Sequence, residues 1–195
     1  LDPIDIINTY GLDPLRYYLI KEVSFGNDGN ISQKRLEECI NSDLANNYGN
    51  LCQRVTSFAE KNCSSKIPNT NEFNNEDLII LNKFTENLPI LRNAIDNQDI
   101  NFYINFIVNA LFEANKYFND QEPWKKKADK KRLEAIVYTS LEIIRKVSFM
   151  LYPIIPNSIK RSISIFNLET KDINFESIGS HNYLKNGNNI NKIDI

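Results

Sequence analysis

The 195-residue sequence predicts an all-α protein, an antiparallel helical bundle. Three observations carry that expectation. Apolar side chains recur at helical spacing over several long segments, Pro, Gly and Asn clusters separate those segments, and no period-two alternation lasts long enough to build a sheet. Connections of the length seen between the segments bring successive helices back beside one another.

Taken in order, Asp2-Pro3 is a cap and first-turn pair for a helix over Ile4 to Tyr10, which Gly11 ends. Asp13-Pro14 opens a second helix through about Val23, and Asn27-Asp28-Gly29 is a tight-turn signal. Ser32 can cap a long helix from about Gln33 to Lys61, without a capping box because Arg35 stands where an acid would be needed. That helix carries an apolar stripe of Leu44, Tyr48, Leu51, Val55 and Phe58. A polar stripe of Asn46, Asn50, Arg54, Ser57 and Lys61 lies opposite. Further helices are expected from about Asn75 to Asp96, kinked or broken near Pro89, from Asp99 to Phe118, from Asp129 to Leu151, and from Asn157 to Phe166. The second of these turns Tyr103, Phe106, Ile107, Ala110, Leu111, Ala114 and Tyr117 inward. The domain reading is an opening module over residues 1–31, a bundle over 32–168 and a polar, weakly ordered tail over 169–195.

Composition excludes several function classes. Apolar content of 42% and charged content of 25% are ordinary for a water-soluble globular protein, and a net charge of −2 does not advertise nucleic acid. No run of about 18 apolar residues suggests a membrane span, and no leader is visible. Cys39, Cys52 and Cys63 have neither zinc nor disulfide spacing, so they read as small apolar fillers in a reduced, cytoplasmic protein. The lone histidine, His181, falls in the tail and reads as solvated. With no paired nucleophile and base, no phosphate loop among the six glycines and no metal spacing, no catalytic residue and no metal site is assigned. The chain begins at Leu1, and its opening residues read as mid-protein, which suggests a piece of something longer.

Charge is nevertheless uneven. From Lys125 to Lys146 there are eight basic residues (Lys125, Lys126, Lys127, Lys130, Lys131, Arg132, Arg145 and Lys146) against three acids. The run reads either as a solvated helix face or as a phosphate-facing patch. It begins directly after Glu122-Pro123-Trp124, where Pro123 stops a helix and places the only tryptophan on the corner. A planar aromatic there either folds back to cap the core or stacks on an unpaired base. Asn50 and Arg54, at i and i+4, emerge on one side of their helix; an amide and a guanidinium can read the edge of an extruded base, or form an ordinary solvated stripe.

Three ordered blocks resemble methionyl-tRNA synthetases. Asn115 to Lys125 is similar to the segment around that family's anticodon-stacking tryptophan. Gly11-Leu12-Asp13-Pro14-Leu15-Arg16-Tyr17-Tyr18-Leu19 resembles the stretch after its Lys-Met-Ser-Lys-Ser loop. Phe25 to Ser32, followed by Asn41 to Leu51, resembles its stem-contact turn and first long helix, and the likeness covers roughly residues 1 to 165. The resemblance implies that Trp124 stacks on the first base of the CAU anticodon, that Asn50 and Arg54 hydrogen-bond that base, and that Lys125, Lys126, Lys127 and Lys130 meet phosphate. Asp13, Arg16 and Tyr17 fall on stem-contact positions, where pinning helices together is an equal alternative. The implied partners are tRNA(Met) and the catalytic domain of the same synthetase, in a monomeric, cytoplasmic protein. That domain, with its ATP and methionine sites, is expected to lie outside this chain, which then takes no cofactor and performs no catalysis alone. The rival readings are the anticodon domain of a sister synthetase for leucine, isoleucine, valine or cysteine, and a helical interaction module or decayed gene fragment with no RNA role.

Overall fold

The computed structural model describes residues 2–23, 26, 28–29, 31–70 and 72–191. The chain runs through α1 (Pro3–Tyr10), α2 (Leu12–Glu22) and α3 (Gln33–Cys39), then a π-helical stretch (Ile40–Gly49) that continues as α4 (Asn50–Asn62). The bundle is completed by α5 (Asn75–Asp96), α6 (Ile100–Gln121), α7 (Lys130–Leu151) and α8 (Pro156–Ile163). No strand occurs among the described residues, only an isolated bridge between Lys66 and Asn189. The all-α bundle expected from the sequence is the fold observed.

Local chemistry accounts for the helix ends. Asp2 accepts from the Ile4 N–H at 2.7 Å with Pro3 at the first helical position, and Ser32 accepts from the Arg35 N–H at 3.2 Å. Gly11, at φ +91°, closes α1 in a backbone region that suits glycine. A reciprocal capping box between Asn74 and Asp77 opens α5. Asp99 and Asp129 cap α6 and α7 by accepting from Phe102 and Arg132 N–H groups, each at 3.1 Å. The turn expected at Asn27-Asp28-Gly29 includes Asn27, which lies outside the described residues, as do Phe25 and Asn30.

Three expectations are corrected. α5 runs unbroken through Pro89. The proline sits on the exposed side, where the carbonyl it leaves unbonded meets water, and packing against α6 and α7 maintains the helix. The long first helix of the bundle is not α throughout, because ten residues, Ile40–Gly49, widen into π geometry. The Asn50 N–H reaches back to the Ala45 carbonyl, and a Cβ on Gly49 would lie 3.2 Å from the Leu44 carbonyl oxygen, so glycine permits the wide turn to close. The stretch expected to be a weakly ordered tail is docked. Ile178, Leu184 and Ile190 are buried, and the Ile67 N–H donates to Asn188 O at 2.8 Å while Gly187 N–H donates back to Ile67 O at 2.9 Å.

The core centres on α7, which is buried on nearly all sides from Ala135 to Leu151. α4, α5, α6 and α8 pack around it, with residues 176–179 closing the remaining side. Tyr48 bonds Ser148 at 2.6 Å, and Tyr103 donates to Met150 O at 2.9 Å, so buried hydroxyls tie neighbours to the central helix. The buried face expected of α6 is the one observed, from Tyr103 to Tyr117.

Candidate nucleic-acid interface

α6 continues one turn beyond the expected stop at Phe118, so Asn119, Asp120 and Gln121 are helical rather than a polar turn. Glu122 then adopts a left-handed conformation (φ 45°, ψ 57°), as the following proline disfavours the α region. Pro123–Lys125 forms one 3-10 turn, and Asp129 N–H bonds Lys126 O at 2.9 Å to lead into α7. This corner presents Trp124.

Trp124 folds back on the core only in part. Its ring packs edge-on against Phe118, with centroids 6.3 Å apart and planes at 69°, yet 42% of the residue remains exposed. Phe118 in turn meets Phe58 of α4 edge-on at 5.9 Å. A rigid aromatic support therefore holds one face of the indole available.

Arg54 joins the same assembly. Its guanidinium lies 5.5 Å from the Phe118 ring centroid, and one Nη donates to Asn119 Oδ1 at 2.5 Å. Asn50, one turn earlier on α4, is exposed, and its side-chain amide has no hydrogen-bond partner among the described residues. Asn115 fixes α6 to the π-helical stretch by donating to Asn47 Oδ1 at 2.7 Å and Asn47 O at 3.2 Å. Arg54 and Trp124, from two separate elements, thus share Phe118 as a neighbour, and Asn50 lies one turn before Arg54 on α4. Asn115 and Asn119 were missed as members of this site. Their spacing of four on α6 was visible, but only the tertiary pairing shows that they position α4.

The basic run divides. Lys125, Lys126, Lys127 and Lys130 are exposed. Lys125 pairs with Glu122 at 2.7 Å, and Lys130 approaches Glu134 at 3.6 Å. Lys126 and Lys127 have no ionic partner among the described residues. Lys131 pairs with Glu72 at 2.8 Å. Arg132 binds the buried Asp77 in a fork, at 2.5 and 2.8 Å, and also donates to Gln121 at 2.6 Å. Arg145 and Lys146 are fully buried, so the patch expected to extend to Lys146 ends at Lys131.

Those two cations belong to the interior. Arg145 Nε donates to Glu142 at 2.7 Å, and one Nη donates to the Ser177 and Ser180 carbonyls, each at 3.1 Å. Lys146 donates to the Ile178 and Ser180 carbonyls. Glu142 also accepts from the Leu184 N–H at 2.7 Å. Burial, with the adjacent guanidinium, pushes the Lys146 ammonium down to about 7. His181, expected to be solvated, is half-buried and bonds Asn82 at 2.8 Å; burial first, then the Lys146 charge, lowers its pKa.

The stem-contact candidates are occupied inside the fold. Asp13 is buried and accepts from the Ser158 N–H at 2.6 Å, capping α8. Tyr17 is buried and donates to Asp43 at 2.8 Å. Arg16 donates to the Ile154 and Pro153 carbonyls at 2.7 and 2.8 Å. All three therefore pin the opening helices to the bundle, the alternative held open for them. On those helices Ile4 and Leu19 are exposed, Ile7 is half-buried and Leu15 is buried.

Cys39, Cys52 and Cys63 are free thiols whose pKa values burial raises to about 11, 12 and 11. No group of His, Cys, Asp and Glu able to hold a metal occurs among the described residues, and no described helix is long and apolar enough to cross a membrane.

Residues 1–56 match the family profile "tRNA synthetases class I (M)", and residues 67–195 match "Anticodon binding domain of methionyl tRNA ligase". The chain belongs to the latter family. It is 39% identical over 166 residues to the methionine–tRNA ligase of Brucella suis, covering 85% of this chain and 32% of that protein. The corresponding enzyme of Mycobacterium leprae is 33% identical over 183 residues, covering 91% and 34%. The free-state crystal structure of Mycobacterium tuberculosis methionyl-tRNA synthetase superposes with a TM-score of 0.92 at 31% identity, over 98% of this chain and 39% of that one. The chain thus spans about a third of the length of the curated relatives it matches.

Proposed function

We propose that this chain is the anticodon-reading part of a methionine–tRNA ligase and contributes recognition rather than chemistry. The observation that carries the reading is the Trp124–Phe118–Arg54 assembly with the exposed Asn50 beside it. In this reading the free face of Trp124 stacks on the first base of the CAU anticodon of tRNA(Met). Asn50 offers a donor and an acceptor to that base, and the Arg54 guanidinium, held flat by Phe118 and Asn119, offers forked donors. Lys126 and Lys127, with Lys125 and Lys130, meet the backbone phosphates.

The activity of the whole enzyme would require ATP and methionine sites in a catalytic domain beyond this chain, which itself takes no cofactor. Anticodon docking would then favour productive placement of the distant acceptor end, adding transition-state binding rather than a chemical step. The protein is proposed to be monomeric and cytoplasmic.

The test is binding of an anticodon stem-loop bearing CAU against one with the first anticodon base changed, followed by the fluorescence of the only tryptophan. The expected result is quenching with tighter binding for CAU. Equal affinity for both loops, or no binding by the folded chain, overturns the reading.

A further inference from the structure

The stripe of α6 that carries Asn115 and Asn119 has one large apolar member facing water, Phe112, which is 66% exposed. Scattered exposed apolar residues are normal on protein surfaces. Phe112 differs in its position. It lies seven residues, two helical turns, before Asn119, the acceptor that holds Arg54, and therefore on the same side of α6. Asn115, between them, is the residue that clamps α6 to Asn47. Beyond that clamp, Asn46 and Asn50 are exposed on the facing helix. An exposed aromatic face thus lies on the side of α6 whose Asn115 and Asn119 bond Asn47 and Arg54.

Resting on the reading above, we infer that Phe112 is a second base-stacking platform, receiving a nucleotide of the same single-stranded loop further along from the base read by Arg54. Seven residues of α-helix rise ~10 Å, about three steps of a strand stacked at 3.4 Å per nucleotide. The base on Phe112 is therefore two or three nucleotides removed from the base on Trp124. A phenyl ring stacks on any base, so this platform adds affinity and fixes the path of the loop without reading sequence.

The experiment measures binding of the CAU stem-loop, and of a set carrying a single abasic nucleotide at each loop position in turn, to the wild-type chain, F112A, F112W and W124A. F112A is expected to weaken the intact loop about five- to thirty-fold, within the range of base–aromatic stacking. F112W is expected to restore it. Because Phe112 is largely exposed, its truncation leaves no core cavity, and unchanged circular dichroism checks this. One abasic position, two or three nucleotides from the first anticodon base, is expected to weaken wild type by the same factor and F112A not at all. Unchanged affinity in F112A, or abasic effects that simply add to F112A at every position, overturns the assignment of Phe112 while W124A still loses binding. A wild-type chain that does not prefer CAU overturns the reading beneath it as well.

Discussion

Lys126 and Arg145 stand in the same basic run, yet they illustrate opposite uses of a cation. At the Trp124 corner, Lys126 and Lys127 are exposed without ionic partners, and the indole keeps an open face. At the middle of α7, Glu142, Arg145 and Lys146 are sealed from water and bonded to one another or to the backbone of residues 177–184. Arg145 is further enclosed by the rings of Tyr183 and Phe149, at 4.6 and 5.0 Å. The difference teaches that solvent access, not residue type, decides whether a charge is a binding group or a joint. A desolvated cation draws its hydrogen bonds from the protein, so it organises the segment that supplies the carbonyls, although one Nη of Arg145 is buried without a hydrogen-bond partner among the described residues.

Breaking the interior joint should have the largest effect. E142A leaves Arg145 buried without its counter-charge and the Leu184 N–H without an acceptor. Removal of one partner from a buried pair typically costs about 3–5 kcal/mol. Urea unfolding is expected to show a loss of that size; a loss below ~1 kcal/mol would mean that the joint contributes little.

The pH dependence sharpens the same contrast. The folded Lys146 favours its neutral form, with its pKa pushed down to about 7, whereas an unfolded lysine titrates near 10.4. Between these values the unfolded chain binds the extra proton, so stability rises as pH increases from about 7 towards 10 and is flat from this source below 7. Above pH 10 the buried tyrosines act in the opposite sense, since burial raises the pKa of Tyr17, Tyr103 and Tyr138. Thermal midpoints at pH 7 and 9 are expected to differ for wild type and to converge in K146M. An equal rise in both proteins would assign it to other groups.

At the open corner the effect should be smallest on folding. K126A/K127A together are expected to leave unfolding within about 0.5 kcal/mol of wild type, as surface changes usually do. The same pair should reduce the slope of log affinity against log salt by about one to two for RNA, uniformly across anticodons. A changed preference between anticodons, or an unchanged slope, would show that these lysines do not meet phosphate.

Much of the fold was legible in the residues. The inward face of α6 follows from 3.6-residue spacing, the stop at Gly11 from backbone chemistry, and the caps at Asp2 and Ser32 from side-chain oxygens placed before helical runs. The resemblance marked Asn50, Arg54 and Trp124; the structure sets Arg54 and Trp124 against the same ring, Phe118, and leaves Asn50 exposed one turn before Arg54. The π geometry of Ile40–Gly49 was not legible, because a stripe read over two turns fits a wider helix as well as an α-helix. The docked tail was missed because its polar composition resembles a solvated segment, while its stability comes from contacts with residues far away in the chain.

The apolar faces of the helices, the caps at Asp2 and Ser32 and the corner at Pro123 are local matters, decided by side-chain spacing, capping oxygens and a missing N–H, and so they were legible in the sequence. Which charges are exposed is not local. Arg132 and Lys146 both stand on α7, as Lys130 does, and only the packing of α5 and residues 176–184 around that helix separates an exposed lysine from a buried clasp. Solvation depends on what every other segment covers, and one segment's residues carry no record of that.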